Sequence, residues 1–169
     1  MENWSRKRVS YAKKVIKKGM NSPFYKMTAW ETPTGVNLSL EDKDGNYPYL
    51  SSRSGYYCIY RNVNDKLECL YVGKTESNFQ NRIHRWAKGI AGNLRHDENH
   101  PAATKARRDG VKLTDKILVK VIDWSDIREV VDDEEVLYSC DLDEWIAPIL
   151  KSKYNVMTCE ECGSLEDFL

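Results

Sequence analysis

Two short runs constrain this chain more than anything else in it: Gly55-Tyr-Tyr-Cys-Ile-Tyr60 and Leu67-Glu-Cys-Leu-Tyr-Val72, joined by the polar link Asn62-Val-Asn-Asp65 and closed by Gly73. Aromatic and β-branched residues on either side of so brief a polar connection favour an antiparallel hairpin. Lys116-Ile-Leu-Val-Lys-Val-Ile122 reads as a third strand. Between these runs the pattern is helical. Ser77-Asn-Phe-Gln80 has the form of a capping box, and Phe79, Ile83, Trp86, Ala87 and Ile90 recur as an apolar stripe. Pro101 opens a second, basic helix that Gly110 stops. A last helix is predicted from Asp132 to Ala147, where Pro148 kinks or ends it. The order predicts an α/β (α+β) fold: a small three-stranded antiparallel sheet flanked by helices.

Upstream, Trp4, Tyr11, Val15 and Ile16 stand at near-helical spacing among lysines, so residues 4–18 read as a basic amphipathic helix ended by Gly19. Asn21 to Pro33 reads as irregular. Val36-Asn-Leu-Ser-Leu40 alternates like a strand, and Asp44-Gly45 predicts a hairpin turn into Tyr47-Pro-Tyr-Leu50. Asp42, Asp44 and Asn46 are not a calcium loop, because the glycine falls too early for an EF-hand. Residues 1–52 are therefore expected to form a helix-plus-hairpin extension, 53–155 the main domain, and 156–169 an acidic tail.

Composition excludes several classes. A chain of 169 residues, 31% charged, suits one domain with an extension. Mean hydropathy is −0.65, and no apolar run approaches the roughly 20 residues of a spanning helix. The N-terminus is basic but lacks the apolar stretch of a secretory signal. The expectation is a cytoplasmic, intracellular chain with no membrane partner. Five cysteines suit no disulfide framework, and Cys159-Glu-Glu-Cys162 lacks the second ligand pair of a structural zinc site, so reduced thiols are expected. The formal net charge of zero conceals segregation. Bases crowd residues 1–18 and 82–112, while acids crowd 123–144 around Arg128 alone. Such blocks are either solvated faces or a phosphate-binding surface opposed by an acidic one. On the second reading the candidate nucleic-acid contacts are Lys13, Lys14, Lys17, Lys18, Arg85, Arg95, His100, Lys105, Arg107 and Arg108.

Gly55-Tyr56-Tyr57-Cys58-Ile59 followed by Tyr71-Val72-Gly73-Lys74-Thr75 resembles the paired signature of the GIY-YIG nuclease superfamily. The order that follows is similar too: Arg82 in the next helix, a third strand, then Glu144 upstream of Leu150-Lys-Ser-Lys-Tyr-Asn155. The resemblance covers residues 55–155. It implies a Mg²⁺-dependent endodeoxyribonuclease, with Mn²⁺ as a substitute, acting on double-stranded DNA as a monomer or homodimer. A short chain of this kind is expected to be restriction-type or phage-borne. By the resemblance, Tyr57, Tyr71, Lys74, Arg82 and Glu144 are catalytic, Glu144 holds the metal, and Asn155 ties the chain down. Two departures stand out. Trp86 occupies a position where many members carry a proton-transferring histidine or tyrosine. Glu144 lies about a residue nearer Asn155 than the family spacing, which leaves Asp141, Asp143 and Glu135 as alternative acids.

Residue chemistry is compatible with that picture. Two tyrosines near facing positions of one hairpin can converge on a phosphate, or simply pack the sheet. A phenol with its ordinary pKa near ~10 needs a neighbouring cation to act as a base at neutral pH, and Lys74 is the candidate. Arg82, beside the apolar stripe, can pair with the scissile phosphate or snorkel at the surface. His84 stands about 200° round the same helix and does not share its centre. Glu144, on one predicted face with Leu137, Cys140 and Asp141, suits a single Mg²⁺. Gly73-Lys74-Thr75 is no P-loop, because Glu68 stands where that motif needs glycine. The rival class is a DNA- or protein-binding module on the same scaffold without strong catalysis, for which Trp86 is the main argument.

Overall fold

The structure, a computed structural model, describes residues 2–139 and 141–155. The acidic tail and the Cys159–Cys162 pair lie outside the described residues, as does the side chain of Trp4. The sheet is the main correction to the expected fold. It has five antiparallel strands rather than three, in the order β2-β1-β5-β3-β4. These are β1 (Tyr25–Thr32), β2 (Gly35–Glu41), β3 (Gly55–Val63), β4 (Lys66–Thr75) and β5 (Ile117–Asp123). The hairpin β3–β4 and the third strand β5 are where the pattern predicts them.

The two additional strands come from the expected extension, which is continuous with the sheet. Tyr25, Lys26 and Met27 of β1 pair with Val119, Leu118 and Ile117 of β5. The physical reason is visible in β5, whose buried residues point to both faces of the sheet: Ile117, Val119 and Val121 to one, Ile122 to the other. A strand apolar on both faces belongs inside a sheet. Asn21–Pro33 is thus largely strand, and the turn is Pro33-Thr34, with Thr32 opposite Gly35. The Asp44-Gly45 turn exists but leads into no strand. The Asp42 carboxylate accepts the N–H groups of Asp44 and Asn46 at 2.9 Å each, closing a compact loop. Pro48 then offers no donor for a ladder, and Leu50 alone is sunk into the core while Tyr47 and Tyr49 stay exposed.

Helices cover both faces. On one lie α2 (Phe79–Ala91) and α3 (Pro101–Arg108), with Phe79, Ile83, Trp86, Ala87 and Ile90 buried against Tyr57, Ile59, Leu70 and Val119. Burying one side chain of this size contributes about 1.5–3 kcal/mol. Asn78, rather than Ser77, caps α2, its side chain accepting the Asn81 N–H at 2.8 Å. On the other face lie α1 (Glu2–Gly19), α4 (Trp124–Val130), α5 (Glu134–Ser139) and α6 (Asp143–Ile149), packed on Tyr56, Cys58, Val72 and Ile122. Helix α1 buries Val9, Tyr11, Ala12 and Val15, as its stripe requires.

The single helix expected over 132–147 is replaced by α5 and α6. Asp133 starts α5 by accepting the N–H groups of Glu135 (3.0 Å) and Val136 (3.2 Å). Residues 141 and 142 then precede a fresh start at Asp143. The face proposed to carry Glu144 therefore does not exist as one continuous surface. Pro148 sits within the last turn of α6. Among the described residues no helix is long and apolar enough to cross a membrane.

Candidate active site

Strand β4 is an edge strand, and there the two helical layers meet: α2 from one face, α6 from the other. Tyr57 stands opposite Gly73, and Tyr71 opposite Ile59. The two tyrosines are thus diagonal neighbours on the α2 face. Their rings lie 6.0 Å apart. Gly73 has a steric role, since a Cβ there would stand 2.3 Å from Cζ and 2.4 Å from the hydroxyl of Tyr57. The small residue lets the Tyr57 ring lie across β4.

Tyr57 is 2% exposed, and burial, then Tyr71, pushes its pKa far above the ordinary phenol value, against the opposing influence of Arg82. Tyr71 is half-buried and also raised, first by burial and then by Asp143, with Arg82 opposing. The hydroxyl interaction between them raises Tyr57 and lowers Tyr71. Arg82, exposed on the first turns of α2, is the cation felt by both phenols.

Lys74 is engaged elsewhere, bonded to Asp141 at 2.8 Å and 3.7 Å from Glu76. Burial lowers its pKa, but the bond to Asp141 and the surrounding acids outweigh that, so it stays charged. Its charge ties the approach to α6 onto β4.

Trp86 is fully buried and stacks under Tyr71 at 5.6 Å and 20°. The Trp86 indole therefore supports the phenol ring from below. His100 packs edge-on against both rings, 5.0 Å from Tyr71 and 5.5 Å from Trp86. Its Nδ1 accepts the Ala103 N–H at 3.2 Å and so caps α3. Burial first, then Arg85, push its pKa down to about 4. At neutral pH His100 is an uncharged imidazole carrying its proton on Nε2. Sequence spacing gives no hint that a loop histidine joins this cluster.

An open cleft of about 500 Å³ runs along this edge, lined by Lys74, Glu76, Ser77, Arg82, Asp141, Asp143 and Glu144. Among the acids Asp143 is the inner one. Its Oδ1 is buried with no hydrogen-bond partner, and burial, then Asp141 and Glu144, raise its pKa to about 6. Asp143 also acts on both phenols. Glu144 is exposed on the cleft wall, and Glu135 is exposed on α5. Among the described residues no group of three or more His, Cys, Asp or Glu forms a metal cage. An orphaned, partly desolvated carboxylate oxygen beside two further acids nevertheless fits Mg²⁺, which binds through one or two carboxylates and keeps its remaining positions for water and phosphate.

No family model, curated protein or solved structure matches the chain.

The basic residues divide between the two faces. Arg85, Lys105 and Arg108 are on the α2/α3 side, with Arg95 exposed on the connection between those helices. Arg107 is partly spent there: a Cβ on Gly92 would fall 2.6 Å from its guanidinium carbon, so its charge lies over the C-terminus of α2. Lys13, Lys14, Lys17 and Lys18 lie on α1, on the opposite face of the sheet. Lys18 bonds Glu129 at 2.5 Å, Lys7 bonds Asp133, and Tyr11 donates to Asp132 at 2.5 Å, which docks α1 on the acidic segment. Lys13, Lys14 and Lys17 remain exposed. His84 is structural, its Nε2 donating to the Val36 carbonyl at 2.5 Å.

Proposed function

We propose that this chain is a Mg²⁺-dependent endodeoxyribonuclease of the GIY-YIG kind, cutting double-stranded DNA at the β4 edge. The observation that carries the reading is the meeting of Tyr57 and Tyr71, Arg82 and Asp143, from β3, β4, α2 and α6, beside one open cleft. Asn155 adds support, since its amide accepts the Val72 N–H and donates to the Val72 carbonyl, both at 2.8 Å, fastening the closing segment to the signature strand.

In this mechanism Arg82 pairs with the scissile phosphate and stabilises the charge that builds on it. The phenols act together. Tyr57, buried and neutral, packs beside Tyr71 and holds its ring in place, and Tyr71, the more exposed of the two, holds the attacking water in line. His100 offers an Nε2–H donor to a phosphate oxygen. Asp143, beside Glu144 on the cleft wall, would hold the cation, which when bound would supply Lewis-acid stabilisation of the leaving oxygen. Asp143, one of the alternative acids left open by the spacing, takes the ligand role that the resemblance assigns to Glu144, because it carries the partnerless inner oxygen.

Plasmid DNA incubated with the protein should be nicked or linearised with Mg²⁺ or Mn²⁺ and left intact in EDTA. Full activity in chelator would overturn the single-metal mechanism. The alternative of a non-catalytic DNA-binding module draws on the high pKa of both phenols, and it predicts retarded but uncut DNA under all metal conditions.

A further inference from the structure

Next to the cleft lies a second, more enclosed pocket of about 320 Å³, lined by Ser54, Glu76, Trp124, Arg128, Leu137 and Tyr138. Glu76 lines both, so the pocket opens beside the proposed phosphate site rather than across the molecule. Its aromatic wall is held in place: the Trp124 ring packs against the buried Tyr56 ring at 5.3 Å, and the Trp124 backbone N–H donates to the Ser54 carbonyl at 3.0 Å. Tyr138 lies on α5, 68% exposed, an unusual cost for a large aromatic with no core to fill. Among the described residues no ring contact joins Trp124 to Tyr138, although both line the same small space. The lining also carries a carboxylate acceptor (Glu76), a guanidinium donor (Arg128) and a hydroxyl (Ser54). Two separated aromatic walls with mixed donors and acceptors at the rim match a flat heterocycle with exocyclic amine and carbonyl groups.

We propose that this pocket receives a single nucleobase, extruded from the substrate strand beside the scissile phosphate and stacked between Trp124 and Tyr138. Glu76 accepts from an exocyclic amine, and Arg128 faces the adjoining phosphate. The position of the base rests on the nuclease reading above. The stacking does not.

The test uses the full chain in EDTA, where no cleavage occurs. The four 2′-deoxynucleoside 5′-monophosphates are titrated in while the Trp124 indole N–H is followed by NMR, its signal assigned through Trp124→Phe. Saturable shifts of that signal are expected. Tyr138→Ala, at an exposed site that leaves the fold intact, should weaken binding between about fivefold and a hundredfold, the span of one base–aromatic stack. Tyr138→Phe should restore it. A duplex carrying 2-aminopurine next to the cut should brighten on binding to the parent and not to Tyr138→Ala. An unmoved Trp124 signal, or equal affinity in Tyr138→Ala, overturns the pocket even if the protein cuts plasmid DNA. Saturable stacking in a chain that cuts no DNA with Mg²⁺ upholds the pocket and overturns the nuclease reading.

Discussion

Replacing Asp143 by Asn should make the protein more stable and inactive at once, and only above a certain pH. The pKa of Asp143 rises from 3.8 to about 6, first because burial strips its solvation and then because Asp141 and Glu144 repel its charge. A rise of about two units is worth about 3 kcal/mol between neutral and ionised forms. The carboxylate lies in the first turn of α6, where the helix dipole favours it, and it is not wholly shielded, so about 2 kcal/mol is the better figure. The sign follows from linkage. A carboxyl whose folded pKa is raised contributes its full stability below the unfolded value, and that contribution is lost as pH rises through about 6. The amide never ionises. Asp143→Asn should therefore match the parent near ~pH 3.5 and melt about 4–8 °C higher near ~pH 8, given some 2–4 °C per kcal/mol for a chain of this size. Added Mg²⁺ should raise the parent's melting temperature at the higher pH and leave the variant's unchanged. Thermal melts across that range, with a plasmid assay alongside, decide the matter. A variant less stable than the parent at high pH, or one with the same difference at both ends, would show that the carboxylate is satisfied and that the argument for strain at this oxygen is wrong.

Gly73→Ala should displace the Tyr57 ring, cost about 1–3 kcal/mol in urea denaturation through overpacking, and abolish cleavage. His100→Ala should lose both the α3 cap and activity, whereas His100→Asn keeps a capping oxygen. If His100→Asn retains the melting temperature but cuts at least tenfold more slowly, the imidazole acts on substrate, and unchanged cutting reduces His100 to a cap. Exchanging Arg85, Arg95, Lys105 and Arg108 for Gln should flatten the dependence of log K on log salt. The matching exchange of Lys13, Lys14 and Lys17, on the other face, should flatten it less, and equal slopes in filter binding would return α1 to the DNA surface.

The parts of this fold legible in sequence are those governed by local pattern. The β3–β4 hairpin, β5, α1, α2 and α3 each carry a periodicity or a terminal signal in their own residues. What was not legible depends on partners distant in the chain. Tyr25–Thr32 alternates, but the stretch from Asn21 to Pro33 reads as irregular in isolation, and pairing with β2 and β5 makes it a strand. The break between α5 and α6 separates Glu144 from its supposed face and turns Asp143 inward, which no helical wheel drawn through 132–147 shows. Tyr57, Tyr71, Arg82 and Asn155 are singled out by their order along the chain, and the structure places the first three near one edge and Asn155 on Val72. Trp86 and His100 acquire meaning only when α3 brings its capping residue against Tyr71, an event of tertiary packing.

The bond pattern at Asn155 has a dynamic consequence. Lys153 and Tyr154 donate to the Cys69 and Leu70 carbonyls at 3.0 Å each, and the Asn155 amide then stands in for a peptide unit opposite Val72. Residues 153–155 thus clasp the β4 edge as an irregular segment whose other end is continuous with α6, the helix that carries Asp143. Fraying of this clasp exposes the β4 edge and frees the Asp143 arm in the same event, so the cleft and the closure of the sheet open as one cooperative unit.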